Sequence, residues 1–424
     1  MESSKLASRT NSRESMILGR VRGGGWFFSS AGAQAMAALI GFFTNVVYAR
    51  TLSLSEVGEI ALVTAAALFS AVFADRGFGT WVTRNVASAV VSPRTASVFL
   101  LRASFPAWIA GGVVVSMLLF SYGAVNSVPS LFRYAPQWWV LLITFTLFQG
   151  VISLSQGTGQ TSLRSTVIVV NSVATLGGVL VAAFFAPSAS LYLWAGALGY
   201  LIAAAVGLGG LLRQLGPGAD PLTAPGYGTA RKESLPLLAT NAITYAMGAG
   251  DVLVLGLFVG PSQVGLYQTA KKLAQAVSLP WSTVVPVLIG RMARSEDPRR
   301  LVRKFAAAAS AYFVLAALTA LLLGSWILST LFGSPFAAAE PELVALMIAF
   351  GLQLARDLTG AVLIVRGRYF IAVLGQIVSL LVLGSVLPFV AASGSSVVFA
   401  LGLATAFAAG AFTNFLASRR AGSL

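Results

Sequence analysis

The stretch NAITYAMGAGDVLVLGLFVGPSQVGLYQTAKKLAQAVSLPWS, residues 241–282, decides the fold and raises the functional question at once. It contains two apolar segments, each long enough to cross about 30 Å of hydrocarbon, joined by a short turn around Pro261. Both segments hold polar and ionisable groups. Asn241, Thr244, Gly248 and Asp251 recur at helical spacing and so share one face. Gln268, Lys271, Lys272, Gln275 and Ser282 follow in the second segment, mostly along one stripe. A charge at mid-membrane costs about 2.5–3.5 kcal/mol on insertion scales, so an Asp and two Lys point to a wet cavity or to mutual pairing. Asp251 and Lys271 lie equally far from Pro261 and therefore at similar depth. Adjacent helical residues diverge by about 100°, so one lysine can neutralise Asp251 while the other stays available to an anion.

The rest of the chain extends this pattern. Apolar residues make up 57 % and charged residues 10 %, where soluble domains carry roughly 25 % charged. Mean hydropathy is +0.84. These values describe an all-α polytopic membrane protein, and about twelve apolar runs of spanning length can be counted. The chain has no His and no Cys, which removes disulfides, thiol and imidazole chemistry and the commonest zinc ligands. With 13 carboxylates in all, and Glu233, Glu340 and Glu342 expected in loops, paired-carboxylate catalysis has few candidates. No metal cluster, phosphate loop or nucleotide fingerprint is present, so neither enzyme activity nor a bound cofactor is expected. The net charge of +15 is assigned to membrane topology under the positive-inside rule, not to nucleic acid.

Four segments follow: a polar cytoplasmic tail (1–25), a six-helix lobe (26–212), a cytoplasmic linker (213–232) rich in Gly and Pro, and a second six-helix lobe (233–424). Basic residues gather on the side of the tail and linker, which places both termini in the cytoplasm and the protein in the cytoplasmic membrane. A shift of 207 residues superposes Gln34 on Asn241, Gly41 on Gly248, Ser55 on Ser262, and Val57-Gly58 on Val264-Gly265. The two lobes therefore read as parallel repeats.

Three further constellations stand out. Ser30, Gln34, Gly41 and Asn45 share a face of the first span and read either as packing or as cavity lining. Arg356 and Asp357 sit mid-way along span ten with Gln353 and Gly360 one turn away, an ion pair or a cavity group. Asp75, Arg76 and Arg84 mark the inner end of span two and read as interfacial anchors or a cytoplasmic gate.

Tyr48-Ala49-Arg50-Thr51-Leu52, then Ser55-Glu56-Val57-Gly58, then Asp75-Arg76-Gly77-Phe78-Gly79 and Arg84-Asn85-Val86-Ala87 resemble the amino-terminal signature of the polysaccharide-biosynthesis (Wzx-type) flippases. That family lies within the multidrug/oligosaccharidyl-lipid/polysaccharide exporter superfamily. Asp251, Val264-Gly265-Leu266-Tyr267, Ala270 and Lys272-Leu273 resemble its second hairpin, while Glu59 and Arg76 depart from its pattern. The resemblance implies two lobes around a cationic cavity that move lipid-linked oligosaccharide to the outer leaflet by alternating access. Its partners would be a polyprenyl pyrophosphate-linked glycan, membrane lipids, and a polysaccharide polymerase or glycosyltransferases. Lys271, Lys272 and Arg356 are the expected phosphate-binding cations, since such side chains make charge-assisted hydrogen bonds to phosphate oxygens. Gln34, Asn45, Asn241, Gln268, Gln275 and Gln353 are the expected polar lining. Asp251 is the expected coupling carboxylate, taking up H⁺ or Na⁺ when phosphate removes its lysine. The competing reading is an ion-coupled multidrug or small-cation antiporter of the same superfamily.

Overall fold

The computed structural model describes residues 30–75, 77–88, 90–98, 129–214, 227–248, 250–292, 298–365 and 368–420, with single helical positions at 102, 106, 110, 113 and 117. The tail, most of the third apolar run, Arg76 and linker residues 215–226 lie outside the described residues. In chain order the helices are α1 (Ser30–Thr51), α2 (Leu54–Asp75), α3 (Phe78–Ala87), α4 (Ala135–Gly157), α5 (Thr161–Phe185), α6 (Ala189–Gln214), α7 (Tyr227–Gly248) and α8 (Gly250–Gly256). They continue as α9 (Pro261–Met292), α10 (Pro298–Phe332), α11 (Glu340–Val365), α12 (Tyr369–Ser393) and α13 (Ser396–Arg420). No strand occurs among the described residues.

Nine segments of the described residues are long and apolar enough to cross a membrane. The α7–α9 region is not among them, because α7 carries Arg231, Lys232 and Glu233 and α9 carries Lys271 and Lys272. The polar groups that single out this hairpin thus also make it the least lipid-like part of the bundle. Outward-facing side chains are large and apolar instead, with Phe184, Phe185, Leu322, Trp326, Phe370 and Phe389 all exposed. Such a surface suits hydrocarbon as solvent, and helices suit it because they satisfy their own backbone hydrogen bonds.

Helices α1, α2, α4, α5 and α6 pack against one another, and α9 to α13 form a second set. Small residues allow close approach within each set: a Cβ on Gly178 of α5 would stand 3.0 Å from that of Ala195 on α6. The two sets meet where α9 lies against α2 and α1, and where α7 lies against α2 and α3.

The α2–α9 contact is reciprocal. A Cβ on Gly58 would overlap the Pro261 carbonyl and stand 3.0 Å from the Gly265 nitrogen. A Cβ on Gly265 would overlap the Leu54 carbonyl and stand 3.3 Å from the Gly58 nitrogen. Gly58 and Gly265, like Leu54 and Pro261, are partners at the 207-residue shift. Residue i touching j′ while j touches i′ is what a two-fold axis produces. The axis therefore passes between two glycines, and backbone meets backbone where the lobes close.

Two details differ from the sequence reading. The apolar run of the second span, residues 57–78 in the sequence, predicts one helix to Phe78, but α2 stops at Asp75 and Gly77 takes φ +76°, a left-handed turn that glycine tolerates, before α3 restarts at Phe78. Asp75 fixes this restart by accepting the Gly79 backbone N–H at 2.9 Å. Glu342 was expected in a loop but lies in the first turn of α11, 3 % exposed, accepting the Ser396 hydroxyl at 2.6 Å. Its carboxylate sits among the starts of α9, α11 and α13, whose positive dipole ends favour a buried anion.

Candidate functional site

The charged hairpin divides its two lysines. Lys271 Nζ donates to Asp251 Oδ1 at 2.7 Å and to the Gly248 carbonyl at 2.9 Å. Asp251 Oδ2 accepts the Tyr267 hydroxyl at 2.7 Å, and its Oδ1 also accepts the Val252 N–H at 2.8 Å. Asp251 is 1 % and Lys271 5 % exposed, so this is a buried, multiply hydrogen-bonded ion pair. Such a pair can tolerate low dielectric because its remaining donors and acceptors are satisfied.

Lys272, turned away by one helical position, enters a cavity of about 220 Å³ between α9 and the first lobe. Thr44, Asn45 and Tyr48 of α1, Thr64 of α2, Asn171 and Thr175 of α5, Tyr192 and Tyr200 of α6 and Gln268 of α9 complete the wall. Tyr48 and Tyr192 stack with centroids 5.0 Å apart, and the Tyr192 hydroxyl is 2.6 Å from that of Thr51. Lys272 takes part in none of the ion pairs among the described residues. The side-chain oxygens of Asn171 and Gln268 are buried and also lack a partner there.

A second cavity, about 190 Å³, lies towards the other end of α2 and is lined by Asp75, Thr80, Thr146, Gln149, Asn241 and Tyr245. Below it the lobes touch again. Trp81 Nε1 donates to Glu233 Oε2 at 2.9 Å, Arg84 stands 4.0 Å from the same oxygen, and Asn241 donates to Thr80 at 3.3 Å. Arg84 therefore faces a carboxylate of α7, a helical residue that had been expected in a loop. Arg76 is outside the described residues.

The expected cations do not share one cavity in this conformation. Lys272 lines the larger cavity, Lys271 is held by Asp251, and Arg356 is buried in the second lobe. Arg356 Nη2 donates to Asp357 at 2.9 Å, and its guanidinium lies 4.8 Å from the centre of the Phe407 ring. Gly410 of α13 makes the room, since a Cβ there would come within 3.0 Å of Arg356 Cδ. Asn45 and Gln268 line the larger cavity and Asn241 the smaller. Gln34, Gln275 and Gln353 line neither, and Gln353 instead hydrogen-bonds Asp357. Asn171, Tyr192 and Trp81 escaped the sequence reading, which named Tyr48 and Glu233 but gave them no place in a site. Asn171 was detectable as a lone amide in an apolar run, whereas Trp81 and Glu233 acquire their roles only across the lobe interface.

No curated protein matches the sequence at a significant level. Among solved structures, an inward-facing multidrug resistance MATE family transporter of the MOP superfamily superposes with TM-score 0.67 at 11 % identity, covering 91 % of this chain and 94 % of that one. The lipid II flippase MurJ, in an inward closed conformation, gives TM-score 0.67 at 10 % identity, over 91 % of this chain and 86 % of its own. The Vibrio cholerae MATE transporter VcmN, a mutant form, gives 0.61 at 15 % identity, over 93 % and 95 %. These likenesses establish the fold. Residues 24–296, which include the first lobe, both cavities and the charged hairpin, match the family described as "Polysaccharide biosynthesis protein". The chain belongs to the polysaccharide biosynthesis protein family.

Proposed function

We propose that this protein is a flippase for lipid-linked oligosaccharide, carrying the phosphate-bearing headgroup across the membrane by alternating access while the polyprenyl tail stays in lipid. The observation that carries this reading is Lys272, a cation unpaired among the described residues in a polar cavity between the lobes. Membership of the polysaccharide biosynthesis family supports it. An ammonium with three free donors suits phosphate oxygens and repels cationic drugs. The neighbouring ion pair supplies the coupling hypothesis: phosphate that draws on Lys271 would release Asp251 to take up H⁺ or Na⁺. The Trp81–Glu233–Arg84 contact serves as the gate on the linker side.

Lys272→Gln is expected to lower export of lipid-linked glycan by about 10- to 150-fold at unchanged abundance, the equivalent of one charge-assisted hydrogen bond of about 1.5–3 kcal/mol. Normal export in this variant would remove the cationic-site reading. One observation favours the antiporter instead: Asp75 places a carboxylate on the smaller cavity, with no cation within ion-pairing distance among the described residues. An antiporter would lose cation extrusion in Asp75→Asn and retain it in Lys272→Gln.

Orientation is proposed from the basic residues, with both termini and the linker at the cytoplasmic side of the cytoplasmic membrane. The absence of Cys makes this testable with single thiols. Ser262→Cys, at the exposed start of α9, is expected to react with an impermeant reagent on intact cells. Ser295→Cys, which lies outside the described residues, is expected to react only after permeabilisation. The opposite pattern would invert the proposed direction of transport.

A further inference from the structure

The larger cavity contains more chemistry than phosphate requires. On the side facing Lys272, α5 presents Asn171 and, one turn on, Thr175, while α1 presents Thr44, Asn45 and Tyr48. Thr44 and Asn45 donate to carbonyls of their own helix, Ile40 at 2.9 Å and Gly41 at 2.7 Å, which leaves their acceptor lone pairs towards the cavity. Asn171 is the informative residue. Polar amides in membrane helices usually hydrogen-bond a neighbouring helix. The buried Asn171 oxygen finds no partner among the described residues, nor does that of Gln268 on the opposite wall. Two amides that line one cavity, one on each lobe, each with a buried oxygen that no described residue satisfies, call for a ligand with several hydroxyl groups or for water in its place.

Shape agrees with a sugar. Tyr48, backed by the fully buried Tyr192, and Tyr200 supply aromatic surface beside the amides, the mixture of apolar face and polar edge that a pyranose offers in return. At about 220 Å³ the cavity is below the roughly 300–1,000 Å³ of drug-sized sites, so it suits one sugar and not a whole oligosaccharide. Gly41 leaves one side open, since a Cβ there would meet nothing within 4 Å.

We infer that the first lobe contains a selectivity subsite for the sugar attached directly to the pyrophosphate. Asn171 and Asn45 bind its hydroxyl groups, Tyr48, held in place by its stack on Tyr192, forms its wall, and Lys272 holds the adjoining phosphate from the second lobe. This rests on the flippase reading, and it divides headgroup recognition between the lobes: α9 reads charge, and α1 with α5 reads sugar identity.

The test uses the full chain in lipid nanodiscs and four defined lipids: undecaprenyl pyrophosphate and its N-acetylglucosaminyl, glucosyl and galactosyl derivatives. Wild type is expected to bind at least one glycosylated lipid more tightly than the bare pyrophosphate. Asn171→Ala is expected to erase that gain, a loss of about tenfold for an amide making one or two hydrogen bonds, and to leave affinity for the bare lipid unchanged. Lys272→Gln should weaken all four. Equal weakening of bare and glycosylated lipids by Asn171→Ala, or a sugar-dependent gain that survives it, would overturn the subsite while leaving the flippase reading intact, as would the lack of any sugar-dependent gain in wild type. Unchanged affinity for all four lipids in Lys272→Gln would overturn the underlying reading and the subsite together. The thermal midpoint of Asn171→Ala, matched to wild type, excludes misfolding, and Asn45→Ala repeats the test from the other helix.

Discussion

Gly58→Ala is expected to reduce transport about tenfold or more, because forcing a methyl group into packed backbone costs about 1–3 kcal/mol even where neighbours can yield. Here they cannot yield easily. The added carbon would occupy the position of the Pro261 carbonyl, and a carbonyl fixed at the start of α9 moves only if the whole hairpin moves. The lobes would be wedged apart at this end, so that closure, one half of any alternating-access cycle, is penalised while each lobe stays folded. Gly265→Ala should act alike, since its Cβ meets the Leu54 carbonyl in the same way across the two-fold axis. The double variant should be scarcely worse than either single one, because both substitutions break one contact. Gly384→Ala is the control: it is exposed on α12 with nothing within 4 Å, and alanine there is neutral or mildly stabilising. A thiol introduced at Thr64, in the cavity beyond the seam, should react faster from the Pro261 end in the Gly58 variant. Wild-type transport with unchanged labelling would show that the glycine contact is not a closing surface.

The other large effect concerns stability. Asp251→Asn leaves Lys271 charged, buried and without its counter-ion, and removing one partner of a buried pair costs about 3–5 kcal/mol. Abundance and the thermal midpoint should fall sharply, and Lys271→Gln should behave similarly by stranding Asp251. The geometry names the compensating change, because Asp251 bonds Lys271 and not Lys272. Asp251→Asn with Lys271→Gln removes both charges and should restore most of the abundance, whereas Asp251→Asn with Lys272→Gln should not. Transport then decides the coupling proposal. If the Asp251–Lys271 double variant regains abundance but its transport no longer responds to collapse of the ion gradient, Asp251 is a coupling carboxylate. Recovery of gradient-dependent transport would make it a structural counter-ion.

Much of this architecture could be read from residues in order. Membrane helices have to satisfy their backbone bonds within the segment, so length and hydropathy report them locally. The division of Lys271 and Lys272 between pairing and cavity also followed from helical geometry, because adjacent positions cannot share a direction. The choice of which lysine pairs did not follow, for it depends on where Gly248 and Tyr267 stand around Asp251. Arg356 shows the opposite limit. Its position mid-way along a span marked it as costly, but that it folds onto Asp357 and Phe407 depends on α13, a different helix, which supplies the Phe407 ring and leaves room at Gly410.

By itself the sequence determined a helical membrane protein, without thiol or imidazole chemistry, and with its polar investment concentrated in the Asn241–Ser282 hairpin. Each of those properties is local, carried by composition or by the spacing of residues within a turn or two of one another. Tertiary structure alone decided that Gly58 meets Gly265, that Glu233 receives Trp81, and that Asn171 and Lys272 line one cavity. These pairs lie about a hundred or more residues apart and arise from the docking of one lobe on the other. That docking depends on the shapes of both helix surfaces at once, and no short window of sequence contains both.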